Sequence, residues 1–178
     1  MKTRQLTMDA MLAAMCAVLG YFSLTFANLK FTFEGLPVHI GALLFGPVDG
    51  LAIGTVGTAI YQLLRYGVTA TTVLWILPYA LCGALVGWYA RRERFSLSTR
   101  QTVGAVVAGE LLITLLNTGA LYIDSHIYGY YTPTFITGGL GLRLAICVGK
   151  AVVYGLVLPG VLSPVRRLFR GQKSVGGV

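Results

Sequence analysis

Residues 36–78 read Leu36-PVHIGALLFGPVDGLAIGTVGTAIYQLLRYGVTATTVLWIL-Pro78, and they carry two full charges, Asp49 and Arg65, each at a break in an apolar run. Such a stretch cannot fold alone in water with its apolar surface uncovered. Two apolar runs joined by Gly46-Pro47-Val48-Asp49-Gly50 fit a re-entry into a membrane followed by a crossing. Beyond them, Arg65, Tyr66, Trp75 and several threonines gather at one membrane face, as the beginning of a binding site would.

The rest of the chain agrees. Of its 178 residues 56% are hydrophobic and 11% charged, with a mean hydropathy of +0.74, where a soluble domain has roughly 25% charged residues. The predicted fold is all-α: a polytopic membrane protein of six transmembrane helices in one compact bundle, a single domain over 1–178 with a basic tail over about 166–178. The predicted spans are 5–27, 37–47, 48–65, 72–90, 101–123 and 135–162. The second is short, about 16 Å as a helix, so it is tilted, broken or extended by its flanks. The start of the chain, with Lys2 and Arg4 before an apolar run, superficially resembles a signal peptide, but the run is long and is read as a retained first span. Cys16, Cys82 and Cys147 all lie in apolar runs and are expected to pack there, with no disulfide framework.

Charge sets the orientation. Six spans put both termini on one side, together with Lys2, Arg4, Arg91, Arg92, Arg94, Arg100, Arg166, Arg167, Arg170 and Lys173; the opposite loops hold Lys30 and Arg65. The positive-inside rule then predicts a multi-pass protein of the plasma membrane with both termini in the cytoplasm. The same distribution explains the net charge of +8 as a topological signal and argues against a nucleic-acid partner. The segments 28–36, with Asn28, Lys30 and Glu34, and 124–134, rich in tyrosine, are expected as outward loops, the first as an interfacial lid.

Glycines and alanines mark close helix contacts. Gly46, Gly50 and Gly54 recur every four residues with Gly57 nearby, and Gly83 and Gly87 repeat the spacing; small residues at that interval let backbones approach in lipid. Ala10 and Ala14, and Ala13 and Ala17, form overlapping pairs on the first span, either for packing within the bundle or as a docking face for another membrane subunit.

Buried charges are costly in lipid, at least ~2.5–3.5 kcal/mol each unless paired or solvated. Glu110 and Asn117 lie seven residues apart on the fifth span, and Arg143 and Lys150 seven apart on the sixth, so each pair shares a face. Antiparallel packing would bring Glu110 to Lys150 and Asn117 to Arg143. The first pair reads as a buried ion pair that sets helix register; Arg143, without a carboxylate at its depth, reads as the cation for an entering anion. Arg65 is either an interfacial snorkelling residue or part of a site with Tyr66, Thr72 and Trp75. Trp75, Tyr122, Tyr128, Tyr130 and Tyr131 have belt positions as the alternative. His39 is expected to make a helix-end hydrogen bond.

Signals for catalysis are missing. Gly149-Lys150 is followed by Ala151, and Leu144 stands where a Walker glycine would be. Ser125 and His126 are adjacent in a predicted loop, which is not a dyad poised across helices. No Cys/His grouping has metal-ligand spacing, so neither a catalytic residue, a metal nor a cofactor is expected. A binder that needs an external motor, or a very small transporter, fits best; an intramembrane enzyme or an assembly factor is the alternative class.

The six-span layout, the alanine face and the run Gly35-LPVHIGALLFGPVD-Gly50 resemble the S components of energy-coupling factor (ECF) vitamin transporters. Tyr61-QLLRY-Gly67 and Thr71-TVLWIL-Pro78 are most similar to the folate-specific branch. The resemblance implies a substrate-binding subunit that captures folate or a related vitamin outside. It then associates with a transmembrane coupling protein and two ATPase subunits and topples in the membrane to deliver the vitamin. It implies docking through Ala10, Ala13, Ala14 and Ala17, and a gate over 28–36. Folate's rings want flat walls, its pterin edge amide-like partners and its carboxylates cations. The expected substrate contacts are therefore Arg65, Tyr66, Thr72, Trp75, Asn117, Tyr122, Tyr128 and Arg143. Pantothenate or cobalamin is the alternative substrate.

Overall fold

The computed structural model describes the backbone of residues 3–26 and 29–175 and the side chains of 3–23, 32–133 and 139–164. Lys2, Asn28 and the tip of the tail over 176–178 lie outside the described residues. Among the described residues, six helices and one hairpin follow in order: α1 Thr3–Tyr21, β1 Leu24–Phe26, β2 Leu29–Phe31, α2 Gly35–Phe45, α3 Pro47–Tyr66, α4 Thr72–Arg92, α5 Thr99–Ile127 and α6 Pro133–Val175.

The break between α2 and α3 falls where the glycine–proline pair predicts it. Gly46 sits at φ 111° and Pro47 opens α3, a backbone conformation that suits glycine followed by a residue that needs no N–H partner. From there α3 runs back antiparallel to α4 with backbone against backbone. A Cβ on Gly83 would lie 2.1 Å from the Gly50 carbonyl oxygen, and one on Gly54 would lie 2.5 Å from that of Tyr79. The glycine spacing thus marks the α3–α4 seam, while Gly57 turns the other way, its missing Cβ 2.5 Å from Cys16 Cβ on α1. At the end of the bundle where the chain starts, Gln5 Nε2 donates to Asp49 Oδ1 at 3.0 Å, tying α1 to the first turn of α3. A capping box, with Ser98 and Gln101 bonding each other's backbone N–H, starts α5.

The short second helix is the centre of the molecule. It touches every other helix, and Gly35 and every residue from Pro37 to Leu43 are buried. A helix that is apolar all round belongs in a core, so α2 is embedded in protein. Its Val38 and Leu43 share one core with Ile53, Cys82, Val86, Val106, Ile113 and Leu158 from the surrounding helices. Large aliphatic side chains such as Leu115, Val148 and Leu156 face outward, a surface suited to lipid. Among the described residues, three helical segments are long and apolar enough to cross a bilayer: Thr72–Arg92, Thr99–Ile127 and Gly139–Pro164.

Three boundaries differ from expectation. The first predicted span stops at Tyr21, and residues 24–26 pair antiparallel with 29–31, Leu24 opposite Phe31 and Phe26 opposite Leu29. The physical signal is the alternation Phe22-Ser-Leu-Thr-Phe26 and Leu29-Lys-Phe-Thr-Phe33, a period of two that belongs to strands. Helix α5 runs on to Ile127, so the outer loop begins after Ile127 and Asp124 lies inside the last helical turn. Helix α6 continues through Pro159 and Pro164 to Val175, beyond the predicted end at 162.

Candidate functional site

A cavity of about 440 Å³ opens at the hairpin end of the bundle. Helix α3 contributes Tyr61, Gln62 and Tyr66, α4 Trp75 and Tyr79, α5 Thr114, Asn117, Leu121 and Asp124, and α6 Arg143, Ile146 and Lys150. Thr32 and Glu34 from the segment before α2, Thr69 and Thr71 before α4, and Tyr128 and Tyr130 after α5 complete it.

The floor is a charged cluster. Lys150 Nζ lies 2.6 Å from Glu110 Oε2, and His39 Nε2 lies 3.2 Å from Glu110 Oε1. Glu110 and Lys150 do meet, as antiparallel packing of α5 and α6 predicts, while Asn117 and Arg143 both line the cavity without bonding each other. His39 departs from expectation: it is fully buried in the body of α2, not bonded at a helix end. Gly109 makes room for it, since a Cβ there would lie 2.5 Å from His39 Cε1. Three helices are thereby locked at one depth.

The upper wall is built around Asp124, 9% exposed. Thr71 Oγ1 donates to Oδ1, Trp75 Nε1 makes a long contact of 3.4 Å to the same oxygen, and Tyr130 OH donates to Oδ2. Burial, and then the Asp124 carboxylate beside it, push the Tyr130 phenol up to about 12. Across the cavity Glu34, 2% exposed, accepts from Thr32 Oγ1 at 3.1 Å. Gly20 admits it to the wall, since a Cβ there would stand 2.6 Å from Glu34 Oε2.

Of the expected substrate contacts, Tyr66, Trp75, Asn117, Tyr128 and Arg143 line this one cavity. The Oδ1 of Asn117 is buried without a hydrogen-bond partner among the described residues. Arg143 is half-buried there, with no ion pair or hydrogen bond to the described residues. The other three are placed elsewhere. Arg65 donates to the Tyr21 carbonyl at 2.8 Å and to Ser23 Oγ at 3.0 Å, pinning the end of α1, whose unpaired carbonyls attract a cation. Thr72 turns its hydroxyl to the Thr69 N–H at 2.9 Å, bracing the start of α4. Tyr122 is half exposed and packs against His126 (tilted, ring centroids 4.4 Å apart) and edge-on to Tyr131 (5.6 Å). The alanine face is split as well: Ala13 and Ala17 are buried, Ala13 against α3 at Gly57, while Ala10 and Ala14 are exposed.

Sequence reasoning missed Asp124, Glu34, Gln62 and Tyr79 as lining residues. For Asp124 a signal existed: positions 110, 117 and 124 continue one heptad face of α5. Glu34, Gln62 and Tyr79 come from three separate segments and meet only through the packing.

The profile of the family described as "ECF transporter, substrate-specific component" matches residues 4–162. A UPF0397 protein of Lactobacillus johnsonii is 35% identical over 66 residues, 35% of this chain and 35% of that protein; the chain thus matches about a third of the length of that curated relative. In fold the chain is similar to the S-component for biotin from an ECF-type ABC transporter, with TM-score 0.66, 16% identity, and 95% of this chain and 92% of that chain covered. It is also similar to the S component of a bacterial ECF transporter, with TM-score 0.65, 18% identity, and 97% and 99% covered.

Proposed function

The chain belongs to the substrate-specific components of ECF transporters, and from that premise we propose that it captures folate, or a close pterin relative, in the cavity at the hairpin end. The observation that carries this reading is the cavity itself. Its volume of about 440 Å³ lies in the range of sites for small organic molecules, ~300–1,000 Å³. Tyr61, Tyr66, Trp75, Tyr79, Tyr128 and Tyr130 line it, supplying the flat surfaces that a pterin and a benzoyl ring need. Arg143, bonded to none of the described side chains, suits a carboxylate of the glutamate tail, and the orphaned Asn117 oxygen suits a ring N–H.

In this reading the hairpin end faces outside and both termini face the cytoplasm, in the plasma membrane. The hairpin and the Tyr128–Tyr131 segment cover the solute. The loaded subunit then joins a transmembrane coupling protein and two ATPase subunits, which supply the work of transport. The exposed side of α1, with Ala10 and Ala14, offers a close-approach surface for that coupling protein.

The test is equilibrium binding of folate to the purified protein in detergent or nanodiscs, read by Trp fluorescence and by mass spectrometry of released solutes. One folate per chain, weakened about tenfold by Arg143→Ala, is the expected result. Stoichiometric recovery of another vitamin, biotin or pantothenate for instance, overturns the folate assignment and leaves the capture role in place.

A further inference from the structure

Asp124 breaks two local rules at once. It stands in the last turn of α5, where the helix dipole disfavours an anion, and it is 9% exposed. A buried carboxylate is normally compensated by a cation. Here the donors are a threonine hydroxyl, an indole and a phenol, and no cation pairs with Asp124 among the described residues. Arg143 also lines the cavity but makes no ion pair with Asp124 among the described residues. Lys150 is taken by Glu110 at 2.6 Å, and Glu34 adds a second buried carboxylate to the wall. Local departures of this kind concentrate at functional sites.

The acceptor geometry narrows what could fill the place. A carboxylate has about four lone-pair positions. Tyr130 uses one on Oδ2 and Thr71 one on Oδ1; the Trp75 contact, at 3.4 Å, is too long to hold its position firmly. One site on each oxygen is therefore open to a pair of parallel donors, the arrangement in which a carboxylate grips an amidine or guanidine edge. The indole of Trp75 lines the same part of the cavity, a flat surface beside the acceptor pair. A ligand bringing only negative charge would meet Glu34 and Asp124; one with a donor edge at one end and a carboxylate for Arg143 at the other meets neither conflict.

We propose that Asp124 is the specificity-determining residue of this cavity, and that the solute carries an amidine-like pair of adjacent N–H donors on a planar nitrogen heterocycle, as in a 2-amino-4-oxo-pyrimidine or pterin ring. This rests on the cavity being the solute site, and it deepens the folate reading without depending on folate being the one solute of that class.

The experiment compares folate with its 2-desamino-2-methyl analogue, which keeps size and shape but lacks one donor, on the wild-type protein and on Asp124→Asn. The wild type is expected to prefer folate by about 30-fold, and Asp124→Asn to reduce that preference to within about threefold. A purely structural Asp124 would lower both affinities together and leave the ratio unchanged, which overturns the proposal. Equal binding of the two ligands by the wild type overturns it even if the variant fails to fold, and leaves folate capture standing. Where folate does not bind, the solute released from the purified protein decides. A solute with the donor pair, again bound preferentially over its desamino form, supports the proposal and removes folate; a solute without the pair, or no bound solute at all, overturns it.

Discussion

Helix α5 carries two buried carboxylates on one face, Glu110 and Asp124, and their surroundings are opposite. Glu110 has a lysine at 2.6 Å and a histidine at 3.2 Å, and the three residues join α2, α5 and α6 beneath the cavity. Asp124 has three uncharged donors and lines open space. The first carboxylate is compensated by the fold. The second is oriented by the fold and left with acceptor capacity. In a bundle with so few charges, the state of compensation separates a structural ion from a recognition ion better than burial does, since both are buried.

Breaking the compensated site should have the largest effect. Glu110→Gln leaves Lys150 buried without its anion, and a loss of about 3–5 kcal/mol is expected, read as a large drop in thermal midpoint in detergent. Adding Lys150→Met to that variant should recover most of the loss. If Glu110→Gln alone unfolds no earlier than the wild type, the contrast between the two carboxylates fails.

At the recognition end the order of effects reverses. Arg143→Ala should weaken folate binding about tenfold with an unchanged thermal midpoint, because Arg143 makes no bond to the described residues; a loss of folding instead would make it structural. Asp124→Asn should cost about 1 kcal/mol in stability, since an amide oxygen still accepts from Thr71, and would be measured in the same thermal series. A loss as large as that of Glu110→Gln would erase the distinction.

The smallest effect belongs to Tyr130. Its phenol is raised from 10.0 to about 12, so the protonated form is favoured in the folded protein. Its contribution is complete below about pH 10 and is lost as the pH rises toward 12. Tyr130→Phe should therefore lower stability slightly at neutral pH, by less than about 1 kcal/mol, and remove the small alkaline dependence, measured as midpoint against pH from 8 to 12. A variant with the wild-type alkaline profile would assign that dependence to another group.

Much of this was legible in the chain. The Gly46-Pro47 break, the α3–α4 glycine seam and the meeting of Glu110 with Lys150 followed from spacing, because helical period and residue size act locally. Five of the eight expected substrate contacts share one cavity. The hairpin was also legible, in the alternation around Leu24 and Phe31, but the apolar content of the run outweighed its period. Arg65 and Thr72 do not line that cavity and bond neighbouring backbone groups instead. Each is a polar residue near the cavity, and whether it faces the opening or braces a neighbouring backbone depends on which unsatisfied carbonyl or N–H lies within reach.

The sequence by itself determined that the chain is a bundle of apolar helices, where most of them begin and end, and which helix faces carry the small residues of close contacts, since these depend on hydropathy, period and side-chain size within short windows. Only the tertiary structure decided that α2 is the buried axis of the bundle, that His39 completes the Glu110–Lys150 cluster, and that Glu34 and Asp124 share one cavity. Those facts depend on the rotation and depth of helices relative to one another, which are set by packing between segments far apart in the chain and leave no mark in any one of them.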